Sequence, residues 1–319
     1  MKYKNEIKLF LITYFWGHGM IASKFMLTGF DTVPGLTVRY AMALPVIALH
    51  AFIMLRKNPD RKKDFITKTT LLMAMAAGTC SIITLVLQVT ALKYTTASNA
   101  SFIMCTYTMI VPCMAAILFK NRVHKVQILG FFICFLGTAL ISRVISFDGG
   151  LHIGLSGFNF GDALMLGCSL SCAAQTLLVA RLSKIKVDSL GFVLCQIMYS
   201  FVMFALAWGC FFRHSAADFT NIPALLGICY TGAIGSGVLY IIYCNVITQM
   251  TPAAAGLILS SEPVFTTVAA AVIPVAGKTE PVVAIQIAGG ALIVGTIMSV
   301  QYIMNRGKTP VAVPQEERT

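Results

Sequence analysis

Residues 189–212 read SLGFVLCQIMYSFVMFALAWGCFF, 24 consecutive positions without a charged side chain. A hydrocarbon layer about 30 Å thick is crossed by about 20 apolar residues in a helix, so this run is long enough to span a bilayer. Nine further stretches read the same way, and the ten in chain order are Ile7–Leu27, Pro34–Leu55, Thr69–Leu92, Ala97–Phe119, Val126–Ile145, Gly161–Leu182, Ser189–Phe212, Ile222–Thr248, Pro252–Gly277 and Val282–Met304. A transmembrane β-barrel would need strands of about ten residues that alternate apolar and polar, and these runs are too long and too continuous. In lipid each backbone N–H and C=O must be satisfied within its own segment, which makes the spans helices. The predicted fold is an all-α integral membrane protein with ten transmembrane helices. Little chain remains for a soluble domain, since the longest polar loop is only Arg56–Asp64.

Composition agrees. Of 319 residues 57% are apolar and 11% charged, with a mean hydropathy of +0.81, whereas a soluble domain has about a quarter of its residues charged. The net charge of +12 would suggest nucleic acid in a soluble protein. Here the basic residues sit in short segments between apolar runs, where they act as orientation signals and imply no nucleic-acid partner. The ten cysteines fall almost entirely inside apolar runs and form no CxxC pair, so they read as small hydrophobes, with no metal site or cofactor indicated. The first run follows Lys2, Lys4 and Lys8 but lacks a small-residue cleavage site and carries His18 and Lys24, so it reads as an uncleaved helix. Residues 306–319, with two prolines and mixed charge, read as a disordered cytoplasmic tail.

With a cytoplasmic N-terminus, 18 Lys and Arg fall on the inner side and 4 on the outer side, which predicts both termini inside a plasma or inner membrane. The chain also repeats. Gln127-Ile128-Leu129-Gly130 with Gly137 matches Gln286-Ile287-Ala288-Gly289 with Gly295 at an offset of 159, and Thr96–Ala100 matches Thr251–Ala255 at an offset of 155. Both matches fall at the same span number in each half. Five spans per copy is an odd number, so the second copy enters from the opposite side: two inverted five-helix repeats, 1–150 and 151–305, as secondary transporters use around one central site.

Several motifs then resemble a known family: Trp16-Gly17 with Lys24; Arg39-Tyr40; Ala91 through Ser98; Gly161-Asp162-Ala163-Leu164; Gly235-Ser236 with Tyr240; Glu262-Pro263-Val264; Lys278-Thr279-Glu280; and Gly289 through Ile293. In order over ten spans they resemble the EamA-type modules of the drug/metabolite transporter superfamily. The resemblance implies a multi-pass exporter of small metabolites, amino acids or amphipathic drugs, with a cavity lined by the first, third, fourth, sixth, eighth and ninth helices. This chain departs from the family in having His18-Gly19 where Ser or Asn usually follows Trp-Gly, and Asn121 where Glu often follows the fourth helix. Tyr107-Thr108 with Pro112 occupies the first-half position of Glu262-Pro263.

Candidate site residues are the polar groups inside the runs. A carboxylate in a span costs roughly 2.5–3.5 kcal/mol on insertion scales, so Glu262 is read as facing a pathway, with capping by Ser260 or Ser261 as the structural alternative. His18, between Gly17 and Gly19, is read either as a cavity group or as a packing histidine bonded to a carbonyl; Glu262 and His18 are the candidates for proton coupling. Trp16, Gln88, Tyr107, Gln175 and Tyr240 complete the predicted substrate-binding set, although neutral polar groups of this kind also serve simply to bridge helices. Asp162 is read as a helix N-terminal acid, and Lys24 and Arg39 as snorkelling to the interface.

The predicted function is therefore a secondary transporter for a small molecule, monomeric or homodimeric, and not an enzyme. A polytopic membrane enzyme would need a cluster such as HExxH, and a channel a ring-forming filter; neither motif is present. There is no Walker motif, so energy comes from a gradient. Orientation is testable by labelling single cysteines in a background cleared of the native ten. A cysteine at Asn58 is expected to react with an impermeant maleimide only after permeabilisation, and one at Gly149 in intact cells; the reverse pattern would invert the topology.

Overall fold

The structure, a computed structural model, describes residues 4–119, 125–141, 145–146, 152–153, 158–182, 185, 187–250, 255, 258–281 and 283–306. It is helical apart from a two-residue antiparallel strand pair, β1 (Ile145–Ser146) with β2 (His152–Ile153). In chain order the helices are α1 (Lys4–Met26), α2 (Thr32–Lys57), α3 (Lys68–Ala91), α4 (Ala97–Cys105), α5 (Tyr107–Phe119), α6 (Lys125–Ile141), α7 (Phe160–Arg181), α8 (Ser189–Phe211) and α9 (Ile222–Cys229). A π-helical segment (Tyr230–Leu239) continues α9 into α10 (Tyr240–Ile247), and α11 (Glu262–Val272) and α12 (Ala284–Arg306) follow. Among the described residues, five helices are long and apolar enough to cross a bilayer: Thr32–Lys57, Lys68–Ala91, Phe160–Arg181, Ser189–Phe211 and the composite Ile222–Ile247. The tail expected to be disordered lies outside the described residues except for Arg306, which ends α12.

The helices start where the sequence supplies caps. Thr67 accepts from the Thr70 N–H and Thr70 returns the bond to the Thr67 N–H, a reciprocal box at the start of α3. Asn159 and Asp162 do the same for α7, and Asp162, fully buried, also accepts from the Thr95 hydroxyl at 2.9 Å. Asp188 caps α8 by accepting from the N–H groups of Leu190 and Gly191, and Arg61 grips the same carboxylate, with Nη2 3.0 Å from Oδ1. Asp31, ahead of α2, takes the Lys93 ammonium at 2.8 Å and the Ala216 N–H at 3.0 Å. These two donors hold its carboxyl below the ordinary value of 3.8, so the tie is complete above that pH and is lost as pH falls through the lowered pKa.

Lys24, in the last turn of α1, reaches an acidic partner in the connection between α11 and α12. Its ammonium pairs with Glu280, whose carboxylate also accepts from the Ala97 N–H at 3.0 and 2.8 Å and so caps α4. A tight turn after α11 brings Glu280 there: Val275 and Lys278 exchange backbone hydrogen bonds around Ala276 and Gly277, both at positive φ, 51° and 75°. A left-handed Ala costs about 1–2 kcal/mol, which the ion pair and cap offset.

Packing joins helices distant in sequence. α3 lies against α7 and α8, α2 against α8 and the π segment, and α1 against α9, the π segment and α11. α4 touches α7 and α11, α5 touches α7, and α6 pairs with α12. Small side chains set the closest approach of α6 and α12. A Cβ on Gly137 would lie 3.0 Å from the Gly289 carbonyl oxygen, and one on Gly289 would lie 2.8 Å from that of Gly137. Away from these contacts the surface is apolar, with Phe132, Phe135, Leu206, Leu226, Val268 and Val272 among many exposed large hydrophobic residues. A water-facing surface does not carry so many, and a lipid-facing one does. Gly137→Val is expected to lower stability by about 1–3 kcal/mol through overpacking at this crossing. Thermal unfolding of the purified protein in detergent, compared with Gly295→Ala, where a Cβ meets nothing within 4 Å, measures the difference.

Candidate functional site

One helix crossing places the central side chains. α11 comes so close to α1 that a Cβ on Gly17 would lie 2.7 Å from the Cβ of Phe265 and 3.1 Å from the Glu262 carbonyl oxygen. The Thr266 hydroxyl closes the contact by donating to the Gly17 carbonyl at 3.0 Å. With Gly17 turned to α11, Trp16, Gly19, Met20 and Ser23 form one stripe of α1 that faces a cavity. His18 is two residues from Trp16, about 200° around the helix, and cannot share that stripe. It lines a separate apolar depression with Ile21, Phe25, Leu226 and Ile273, and its Nδ1 lies 2.8 Å from the Tyr14 carbonyl oxygen. The expectation that His18 shares the Glu262 cavity is corrected on this ground of helical periodicity.

The cavity encloses about 170 Å³. Pockets for drug-sized ligands hold about 300–1,000 Å³, so this one suits a small metabolite. Six of the seven predicted site residues line it, namely Trp16, Gln88, Tyr107, Gln175, Tyr240 and Glu262. α2 and α8 also contribute, through Arg39, Tyr40, Gln196 and Ile197, which widens the expected set of lining helices.

Glu262 is not in the middle of a regular helix. It opens α11, with Pro263 in the first turn where a missing N–H costs nothing and the partial positive charge of the helix N-terminus favours a carboxylate. The carboxylate receives no bond from Ser261, whose hydroxyl donates to the Ile258 carbonyl at 2.7 Å. Among the described residues it has no hydrogen-bonding or ion-pairing partner at all, although it lines the cavity. The Tyr107 hydroxyl likewise has no bond with a described residue.

Elsewhere in the cavity lining the polar groups are hydrogen-bonded to one another. Gln175 Nε2 donates to the Tyr240 hydroxyl at 3.2 Å, and Tyr240 donates to Gln196 Oε1 at 2.9 Å. Tyr240 stacks on Tyr243 at 6.1 Å, and Tyr243 meets Trp16 at 5.0 Å. Trp16 Nε1 donates to the Gly235 carbonyl at 3.5 Å, and Gln88 Nε2 is turned toward the sulfurs of Met20 and Met104. Arg39, read from sequence as an interfacial residue, instead lines the cavity and donates from Nε to Ser236 Oγ at 3.0 Å. Its stem is long enough for either place. The signal that could have found it is the Arg39-Tyr40 motif itself, and Tyr243 was readable as the residue one turn beyond Tyr240.

Comparison with known proteins gives the family and the fold. The EamA-like transporter family matches the chain twice, over residues 4–143 and 159–301. An "uncharacterized transporter" of Archaeoglobus fulgidus is 28% identical over 181 residues, covering 57% of this chain and 50% of that protein. The chain thus spans about half the length of that curated relative. A protein of known crystal structure superposes with a TM-score of 0.64 over 94% of this chain and 98% of its own, at 14% identity, which makes it a likeness of fold.

Tyr240→Phe removes the hydroxyl that joins Gln175 to Gln196 and leaves a buried amide oxygen unpaired. A loss of about 1–3 kcal/mol is expected in thermal unfolding, while Tyr107→Phe, which breaks no bond, is expected to change it by less than about 0.5 kcal/mol.

Proposed function

The chain belongs to the EamA-like transporter family, and on that premise we propose that it is a secondary transporter that exports a small metabolite through one central cavity by alternating access. The reading takes the ten apolar stretches as ten spans, arranged as two inverted repeats, 1–150 and 151–305, with both termini cytoplasmic. Two observations support the repeat. The family matches each half separately. Helix contacts also keep their pattern when the halves are exchanged: α3 with α7 corresponds to α1 with the α9–α10 segment, and α1 with α11 corresponds to α7 with α4 and α5. α2 with α8, α4 with α11 and α6 with α12 are each their own counterpart. Such an arrangement provides a single site at the interface of two halves that can rock against each other.

The observation that carries the proposal is the unpartnered Glu262 carboxylate in a cavity built from both halves. An ionisable group inside a membrane protein is expensive unless it is used. A carboxylate that alternates between a drier and a wetter setting has different proton affinities in the two conformations, and that difference links proton movement to the change of access. His18, in its separate depression, has no part in this step.

The test is a metabolite screen with purified protein in proteoliposomes, with and without an imposed pH gradient. For a substrate so identified, Glu262→Gln is expected to retain exchange within about threefold of wild type while gradient-driven accumulation falls at least about tenfold. A Gln variant that accumulates substrate as the wild type does would remove Glu262 from coupling.

A further inference from the structure

Arg39 is a cation inside the bilayer region of α2 with no carboxylate for a partner. The ion pairs among the described residues are Lys24–Glu280, Arg61–Asp188 and Lys93–Asp31, and none includes Arg39 or Glu262. The two opposite charges line the same cavity yet do not meet. Ser236 fixes the Arg39 guanidinium through Nε alone, which leaves its terminal nitrogens as donors.

Two other donors stand unpaired around the same cavity. Gln196 is only 1% exposed, and because its Oε1 is taken by the Tyr240 hydroxyl, its Nε2 is left without an acceptor. The Gln175–Tyr240–Gln196 chain is therefore directional, and its free end is an N–H group. Thr84, 5% exposed, has an unbonded hydroxyl. It lies one turn beyond Ser81, which bonds Tyr40, the neighbour of Arg39, at 3.1 Å. Ser236 and Tyr240 are four residues apart on one segment, so the side chains that steer Arg39 and Gln196 rise from successive turns. Buried donors left unbonded each cost about 1–3 kcal/mol, an expense that a ligand acceptor removes.

We propose that Arg39, Gln196 and Thr84 form a carboxylate-recognition site in the central cavity, and that the substrate is a small organic acid with an apolar body. This rests on the reading of that cavity as the transport site. A planar guanidinium with free terminal nitrogens suits a carboxylate in bidentate fashion. A single cation matches one negative charge rather than a phosphate dianion. Met20, Leu85, Met104, Val179 and Ile197 supply the apolar wall for the rest of the molecule. An α-ammonium on the substrate is compatible with this site and is separated from it by the choice of probes.

Binding is measured by fluorescence of Trp16 in the purified full-length protein carrying Trp208→Phe, since these are the two tryptophans of the chain. The probes are leucine, methionine and phenylalanine, each with its deaminated acid and its carboxamide. At least one acid, with or without the amino group, is expected to bind about tenfold or more tighter than its carboxamide. Arg39→Gln is expected to abolish that preference, Arg39→Lys to retain part of it, and Gln196→Met to weaken the acid several-fold with the carboxamide unchanged. If Arg39→Gln does not fold, the Gln196→Met and Thr84→Val variants carry the test. The proposal falls if no acid binds, if acid and carboxamide bind alike, or if the preference survives in these variants. Counterflow of the same probes in proteoliposomes separates the two readings. An acid that binds with the Arg39-dependent preference but is never exchanged refutes the transport function and leaves the carboxylate site standing. Exchange of carboxamides as fast as acids refutes the site and leaves transport standing.

Discussion

Hydrocarbon offers no hydrogen bonds, and nearly every feature of this molecule answers to that constraint. The backbone closes its bonds within helices, the outward side chains are Leu, Phe, Val and Ile, and polar side chains are left only the interior. Polar chemistry consequently collects in one place. Trp16, Arg39, Gln88, Tyr107, Gln175, Gln196, Tyr240 and Glu262 come from eight different elements and line one cavity, although each is several helical turns from the next in sequence.

The cavity has two sides of different character. The Gln175–Tyr240–Gln196 chain is fixed by mutual hydrogen bonds, and the Tyr240 ring stacks on Tyr243, which meets Trp16 at a tilt. Glu262 lines the same cavity from the start of a helix, held by its backbone against Gly17 while its carboxylate is free. A rigid wall suits recognition and a free titratable group suits switching, and both line one cavity.

Much of this was legible in the sequence for a simple reason: a polar residue inside a long apolar run has few places to go. That rule alone leads to Gln88, Tyr107, Gln175, Tyr240 and Glu262. It fails where direction around the helix decides. His18 is as polar as its neighbour Trp16 is amphipathic, but two residues of separation turn it away from the cavity. It also fails for long cations, because the stems of Lys24 and Arg39 reach either the interface or the interior. What settles them is the partner, Glu280 at a sequence distance of 256 and Ser236 at 197, and such pairings follow from tertiary structure alone. The π-helical turns of Tyr230–Leu239 had only their run of glycines as a signal, and glycine runs in membrane helices mark close packing more often than a change of helix type.

Those widened turns make the length of the segment matter more than its composition. An i→i+5 bond encloses an additional residue in the ring, so Tyr240 and Tyr243 owe their bearing to how many residues precede them between Tyr230 and Leu239. Loss of one codon there would swing everything downstream by about 100° while hardly altering hydropathy. The aromatic wall would then face another helix or the lipid, with the helix itself intact. In this stretch a substitution is a local event, whereas an insertion or deletion acts as a frameshift in three dimensions.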